Sequence, residues 1–285
     1  MSTPLIFDPR AVRLHRDRAA RRQGDVAPIL QAATDSLIDR LDDMARPFAT
    51  ALDIGGRGLV CQALAQRGIS AVALDVSPAQ AALSGGPAIC ADLESLPFAA
   101  RSFDLVTACL SLHWVNDLPG LFAQIRHVLR PDGLFLASVP ILPTLGPLRK
   151  ALEAAELAVS DGVSPRVSPL PTQQSCAQLM QRAGFALPVV DSEVLDLRYR
   201  TLWALMADLR AAGETNALAL RPRTMAPRML FPAAAAMLEE TGEDSFAMPL
   251  HMAVLSGWAP APTQPKPLAP GQFQHNLGEY FATDQ

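Results

Sequence analysis

The sequence predicts an α/β fold built on a doubly wound, mostly parallel sheet of seven strands. Three observations carry that prediction. From about residue 49 to 140, apolar runs of strand length alternate with segments of helical apolar spacing. Successive runs are separated by about a dozen residues, enough for the helical crossovers that parallel pairing needs. The runs are almost continuously apolar, as strands covered on both faces must be.

The elements follow in order. Asp8 and Pro9 suit a helix start, because Asp caps and Pro opens a helix. Residues 10–45 read as two helices, the first an exposed basic one, the second carrying "SLIDRLDDMA". "ATALDIG" is the first strand, followed by a helix over 59–67 closed by Gly68. "SAVALDV" is the second strand, and Ser77 with Pro78 opens the next helix. "PAICADL" and "FDLVTACL" are the third and fourth strands. A helix over 117–130 ends at the turn "PDG", and "GLFLASV" is the fifth strand. Beyond 140 the pattern predicts helices over 147–159, 172–183, 201–212 and 232–240. "ALPVVDSEVLDLRY" and "SFAMPLHMAVLSGWA" supply the strands that complete the sheet. The expected organisation is an N-terminal helical lid over 1–46, a main domain over 47–258 with helical insertions after 140, and a Pro-rich flexible tail over 259–285.

Composition narrows the function. With 49% hydrophobic residues over 285 positions, the chain can bury a sizeable core. A net charge of −4 argues against general nucleic-acid binding. The four cysteines, Cys61, Cys90, Cys109 and Cys176, form no C-x-x-C pair and sit in apolar stretches, so buried reduced thiols are expected. No apolar run reaches the roughly 18 residues of a membrane span, so no integral membrane segment is expected. The N-terminus lacks the pattern of a secretory signal. The five histidines are scattered and show no two-His-one-carboxylate spacing, so no metal is expected.

In a doubly wound sheet, ligands bind beyond the carboxyl ends of the strands. Four places there stand out. After Asp53, the glycines Gly55, Gly56 and Gly58 make a tight turn that lets backbone approach a ligand. Asp75 ends the second strand, 22 residues after Asp53, where an acid can accept from both hydroxyls of a ribose. Asp92 ends the third strand, placed to accept from an exocyclic amine with Leu93 against the ring. "CLSLHWVNDLP", residues 109–119, brings His113 and Trp114 to the pocket mouth. Each taken alone has a plainer structural reading: a turn, a helix cap or a core residue. Their recurrence at one edge of consecutive strands is what points to a site.

This order resembles the class I S-adenosylmethionine-dependent methyltransferases over about 49–140. More narrowly, "IFDPRAVRLHRDRAA", "LPFAARSFDLVTACLSLHWVNDLPGLFAQIRHVLRPDG", "SPRVSPLPTQQSCAQLMQRAGF" and "LMADLRAAGETNAL" resemble the mitochondrial complex I assembly factor 5 family and its bacterial relatives. The malonyl-carrier-protein methyltransferases of biotin synthesis are more distant cousins. The resemblance implies a Rossmann-like methyltransferase fold and S-adenosylmethionine as cofactor. The family's glycine-turn, ribose-acid and adenine-acid positions fall on Gly55 with Gly56 and Gly58, on Asp75 and on Asp92, and the expected cofactor set adds Asp53, Val76, Leu93, Leu110 and Trp114. Trp114 would face the sulfonium. Arg18 is the candidate partner for the methionine carboxylate, and His113 the candidate base. It also implies a small-molecule or protein substrate, with a complex I subunit as the protein candidate. Location is expected to be cytoplasmic, or the mitochondrial matrix in a eukaryote.

One departure stands inside the turn. Arg57 occupies a position that is normally glycine, as if one residue were deleted. The expectation is that Arg57 faces solvent, Gly56 makes the close approach, and cofactor binding is retained. Three functions follow: a methyltransferase of unknown acceptor, an arginine hydroxylase, or a non-catalytic assembly module on the same fold.

Overall fold

The computed structural model describes residues 5–160, 162–239 and 244–265. The strands are β1 (Thr50–Ile54), β2 (Ser70–Asp75), β3 (Ala88–Cys90), β4 (Phe103–Cys109), β5 (Leu129–Pro140), β6 (Ala186–Leu195), β7 (Arg198–Tyr199), β8 (Phe246–Ala247) and β9 (Leu250–Trp258). Seven of them form one sheet in the order β3-β2-β1-β4-β5-β9-β6, while β7 and β8 pair as a short ribbon. Only β9 runs antiparallel to its neighbours β5 and β6. The order reverses between β1 and β4, which opens a crevice at their carboxyl ends.

The helices are α1 (Pro9–Ala19), α2 (Ala27–Asp39), α3 (Leu59–Gln66), α4 (Pro78–Ala81), α5 (Leu118–Val128), α6 (Gly146–Val159), α7 (Gln173–Arg182), α8 (Leu202–Ala212) and α9 (Leu230–Glu239). Their bounds lie close to the sequence expectation. Position 240 of the expected last helix lies outside the described residues. Phe122 and Ile125 of α5 and Met180 of α7 cover one face of the sheet. Leu30, Ala33 and Leu37 of α2, with Val60 and Leu64 of α3, cover the other. The insertions α6, α8 and α9 gather a third apolar cluster beside the crevice.

Three expectations change. β3 is three residues long and exposed, because it is the outermost strand and only β2 pairs with it. Cys90 on it is therefore exposed, whereas the other three thiols are buried. Residues 259–265 of the expected tail are anchored. Ala259 is buried, and the Gln264 amide donates to Asp132 Oδ1 at 2.7 Å and to the Ala259 carbonyl at 2.9 Å. Positions 266–285 lie outside the described residues.

The basic first helix is not simply a solvated one. Asp8 caps it by accepting from the amides of Arg10 and Ala11, and Ala11, Val12, Arg16 and Ala19 are buried along one face. The segment before it is fastened at both sides of the crevice. Asn116 Oδ1 accepts from the amides of Ile6 and Phe7 at 2.9 and 2.8 Å. Asp8 donates its amide to the Ala217 carbonyl at 2.8 Å, and Ala219 donates to that of Ile6 at 2.8 Å. By contrast, α2 is part of the sheet's packing.

Helix α5 begins as its sequence prescribes, with Asp117 Oδ1 accepting from the Gly120 amide at 2.9 Å and Pro119 in the first turn. Asp117→Ala removes that acceptor. Urea denaturation should show a loss of about 0.5–2 kcal/mol. An unchanged midpoint would mean that the cap carries no stability.

Candidate functional site

The turn after β1 has three residues in left-handed backbone: Gly55 at φ 68°, Arg57 at φ 55° and Gly58 at φ 81°. Glycine takes that conformation without strain; arginine is strained there, at a cost of roughly 1–3 kcal/mol. A Cβ on Gly58 would lie 2.3 Å from the Leu83 carbonyl oxygen, and one on Gly56 would lie 2.2 Å from Asp53 Oδ2. Gly56 is thus required by the Asp53 carboxylate beneath it.

Asp53 is buried under this turn, accepting from Thr107 Oγ1 at 3.1 Å and from the Cys61 thiol at 3.5 Å. Burial pushes its pKa up to about 7; the Thr107 and Cys61 contacts oppose the rise, and the Asp75 charge adds to it. Burial likewise pushes the Cys61 thiol up.

Asp75, at the end of β2, does not stand open. Arg16 of α1 lies against it, Nε to Oδ1 at 3.0 Å and Nη2 to Oδ2 at 2.5 Å. The same Nη2 donates to the Gly55 carbonyl at 3.0 Å. Both side chains are 4% exposed. Burial works to lower the Arg16 pKa, but the Asp75 carboxylate outweighs it and raises it. The amide of Ser77 completes Asp75 at 2.8 Å. Arg18, the expected carboxylate partner, is exposed. The helical phase explains the exchange: Arg16 lies four residues after Val12 and three before Ala19, on the buried face, and Arg18 lies off it.

Arg57 also turns inward, contrary to expectation, and is 4% exposed. Its Nη1 donates to the carbonyls of Cys109 and Leu110 at 3.3 and 3.1 Å. Its Nη2 donates to Glu214 Oε1 at 2.8 Å and to the Ala212 carbonyl at 3.4 Å. Burial and the nearby Arg16 charge lower its pKa. The other oxygen of Glu214 meets His113 Nε2 at 2.7 Å and accepts from Trp114 Nε1 at 2.9 Å. Burial works to raise the Glu214 pKa, yet His113 and then Arg57 hold it at about 2. Trp114 also meets Phe7 edge-on, with centroids 5.3 Å apart.

The remaining expected residues divide. Val76 packs beside Trp114, and Leu93 and Leu110 are buried. Asp92 is exposed in the turn after β3, where Oδ1 accepts from the Glu94 amide at 2.9 Å. The structure therefore brings Asp53, Asp75, the glycine turn, Leu110, His113 and Trp114 to one crevice, leaves Asp92 at its outer edge, and leaves Arg18 outside. Sequence reasoning missed Arg16 and Glu214. The helical phase of α1 could have revealed the first; Glu214 follows Gly213 in a loop with no periodicity to mark it. Among the described residues, no three His, Cys, Asp or Glu side chains are grouped to hold a metal ion.

Beside the crevice lies a cavity of about 510 Å³. Arg57, Leu110, His113, Trp114 and Glu214 line one end, and helices α2, α6, α8 and α9 enclose the rest. Asp75 and Asp92 do not reach it. The site thus has two compartments separated by Arg57 and the loop after β4.

Two predictions follow. Asp53 has a folded pKa above its ordinary 3.8, so its ionised form is disfavoured by the fold. Its contribution to stability is retained below about pH 4 and lost as pH rises toward 7 and beyond, by up to about 4 kcal/mol for a shift of roughly three units. Asp53→Asn should therefore gain in melting temperature over the parent at pH 8 and lose that advantage at pH 5. A constant difference across that range would place the titration elsewhere. Arg57→Ala should not be silent. It leaves Glu214 without its ion-pair partner while position 57 stays left-handed. Urea denaturation should show a loss of about 3 kcal/mol, the low end for a buried pair because Glu214 keeps 21% exposure. A loss below about 1 kcal/mol would contradict the inward anchor.

Residues 52–137 match a family profile described as a methyltransferase domain. The mouse protein named arginine-hydroxylase NDUFAF5, mitochondrial, is 34% identical, over 96% of this chain and 83% of its own. The malonyl-[acyl-carrier protein] O-methyltransferase of Xylella fastidiosa is 33% identical, over 90% of each chain. The solved structure of YcgJ from Bacillus subtilis superposes with a TM-score of 0.55 at 13% identity, over 81% of this chain and 99% of its own. A putative methyltransferase from Bacillus halodurans superposes with a TM-score of 0.55 at 14% identity, over 79% and 100%. Those two likenesses show the fold, and the two sequence relatives show the family. The chain belongs to the methyltransferase-domain family that contains the NDUFAF5 arginine-hydroxylases and the malonyl-[acyl-carrier protein] O-methyltransferases.

Proposed function

We propose that the chain is an S-adenosylmethionine-dependent methyltransferase whose cofactor site is held shut by Arg16. One observation carries the reading: a single guanidinium bridges the Asp75 carboxylate and the Gly55 carbonyl. The ribose acid and the glycine turn therefore face one space, and that space suits a ligand bearing several donors. Arg57 fills the neighbouring acceptors, the carbonyls of Cys109 and Leu110. The acceptor set fits S-adenosylmethionine, whose ribose diol and ammonium are donors of the same kind. Leaving Asp75 to the ribose requires the Arg16 guanidinium to withdraw.

The chain's residues divide the work. Asp75 accepts from the ribose and Asp92 from the adenine amine, with Val76 and Leu93 as apolar walls. The segment over residues 5–19, pinned by Asn116 and the 217–219 strand-like run, acts as a lid that excludes water. When bound, the cofactor supplies an activated methyl group on a sulfonium. Alignment is then the main demand on the protein. His113 lines the second compartment, and in this reading it receives a proton from the acceptor. A cytoplasmic location goes with this reading, or the mitochondrial matrix in a eukaryotic cell. No described helix is long and apolar enough to cross a membrane.

A second reading rests on the 34% identity to a protein named arginine-hydroxylase over 96% of this chain. It makes the substrate an arginine side chain of a protein, with a complex I subunit as partner, and the product an oxygen gain.

The test has two arms. S-adenosylmethionine at 100 times its dissociation constant should add about 2.7 kcal/mol to stability. Asp75→Asn should weaken that binding by more than roughly tenfold, since a charged acceptor is lost. No thermal shift at millimolar cofactor would end the reading. Mass spectrometry of a candidate complex I peptide after reaction then decides between products: a gain of oxygen would replace methyl transfer by hydroxylation.

A further inference from the structure

The cavity beside the crevice constrains what the second compartment accepts. Its volume of about 510 Å³ lies in the range of small-molecule sites. Most of its wall is apolar: Leu148 and Leu152 of α6, Leu205 and Leu209 of α8, Phe231 of α9 and Leu30 of α2. Most of its charged groups sit in ion pairs. Arg57 pairs with Glu214 at 2.8 Å, Arg166 with Glu156 at 2.6 Å, and Arg221 with Asp8 at 2.9 Å. Asp208 lies beside the Tyr199 hydroxyl, a neutral group whose pKa is raised by burial first and then by the Asp208 charge. Arg210 is exposed, so its charge is solvated. A carboxylate or a guanidinium entering this space would lose its hydration among apolar walls and mostly paired charges, with the partly buried Asp208 and the solvated Arg210 the lining charges outside those pairs. That is costly for an ion and cheap for a neutral molecule.

Two polar atoms of its lining residues have no partner. Nδ1 of His113 and Nε of Arg57 are both buried and unbonded. A carboxylate only accepts, so the contact from His113 to Glu214 puts a proton on Nε2. Nδ1 is then the ring nitrogen left for a ligand. Nε of Arg57 is a donor. A hydroxyl group donates once and accepts as well, which are the two capacities these atoms lack.

We propose that this cavity binds a neutral, largely apolar small molecule carrying a hydroxyl group, which donates to Nδ1 of His113. Glu214 is the positioning residue that keeps Nδ1 free. The proposal rests on the methyltransferase reading in taking this ligand as the methyl acceptor. Its binding in the cavity is measured without the cofactor.

The experiment titrates the full-length protein with four probes by calorimetry. They are 2-naphthol, its methyl ether 2-methoxynaphthalene, the anion 2-naphthoate and the cation Nα-acetyl-arginine methylamide. 2-Naphthol should bind, the ether about tenfold more weakly for want of one hydrogen bond, and both ions at least roughly tenfold more weakly. Leu148→Trp and Leu209→Trp, made singly, fill the cavity and should abolish naphthol binding. They should leave stabilisation by S-adenosylmethionine in place. An ion that binds as tightly as naphthol overturns the proposal. So does naphthol that fails to bind the parent protein, or that binds both tryptophan variants unchanged. If a variant does not fold, the four-probe series on the parent protein decides. Naphthol binding without any cofactor stabilisation would retain the cavity ligand and reject the methyltransferase reading; cofactor stabilisation without naphthol binding would do the reverse.

Discussion

A guanidinium buried against a carboxylate organises the working edge of this protein. Arg16 and Asp75 are each almost fully withdrawn from water, and their two hydrogen bonds are reinforced by a third to Gly55. Such a pair adds little net stability when desolvation is counted, yet leaving one partner alone costs about 3–5 kcal/mol. The pair therefore acts less as a strut than as a commitment. While it is formed, α1 stays on the sheet, with Gln80 donating to the Arg16 carbonyl at 3.2 Å and Ser77 donating to Asp17 at 2.5 Å. While it is formed, the Asp75 carboxylate is also taken. Any ligand that needs Asp75 must offer donors as good as those of Arg16.

The second arginine does the complementary work. Arg57, in the turn after β1, joins the end of β4 to the segment after α8 through Glu214. Glu214 in turn fixes His113 and Trp114. Strain at φ 55° is offset by four hydrogen bonds from one side chain. The departure from a glycine pattern is thus an exchange of backbone freedom for a buried polar anchor. It divides the crevice into a polar compartment near Asp75 and an apolar one enclosed by the helical insertions.

Much of this was legible in the sequence, and the reasons are local. Apolar runs and cap residues located the strands and helices, because burial on both sheet faces and capping by Ser77 and Asp117 write themselves into neighbouring positions. The carboxyl edge followed from the alternation, so Asp53, Asp75 and His113 came to one place as expected. What failed was long-range. Arg57 was expected outside because nothing adjacent announces Glu214, 157 positions away. The phase of α1, by contrast, is local and separates buried Arg16 from exposed Arg18. Cys90 was read as buried because an edge strand and a central strand look alike over three residues.

The most direct measurement is the affinity of S-adenosylmethionine for Arg16→Met, by calorimetry against the parent protein. Methionine keeps the apolar length of the side chain and removes the guanidinium that occupies Asp75. If Arg16 shuts the site, the variant binds the cofactor at least roughly tenfold more tightly, because no buried ion pair has to be broken first. Weaker binding by the variant would contradict this account and make Arg16 a ligand of the cofactor.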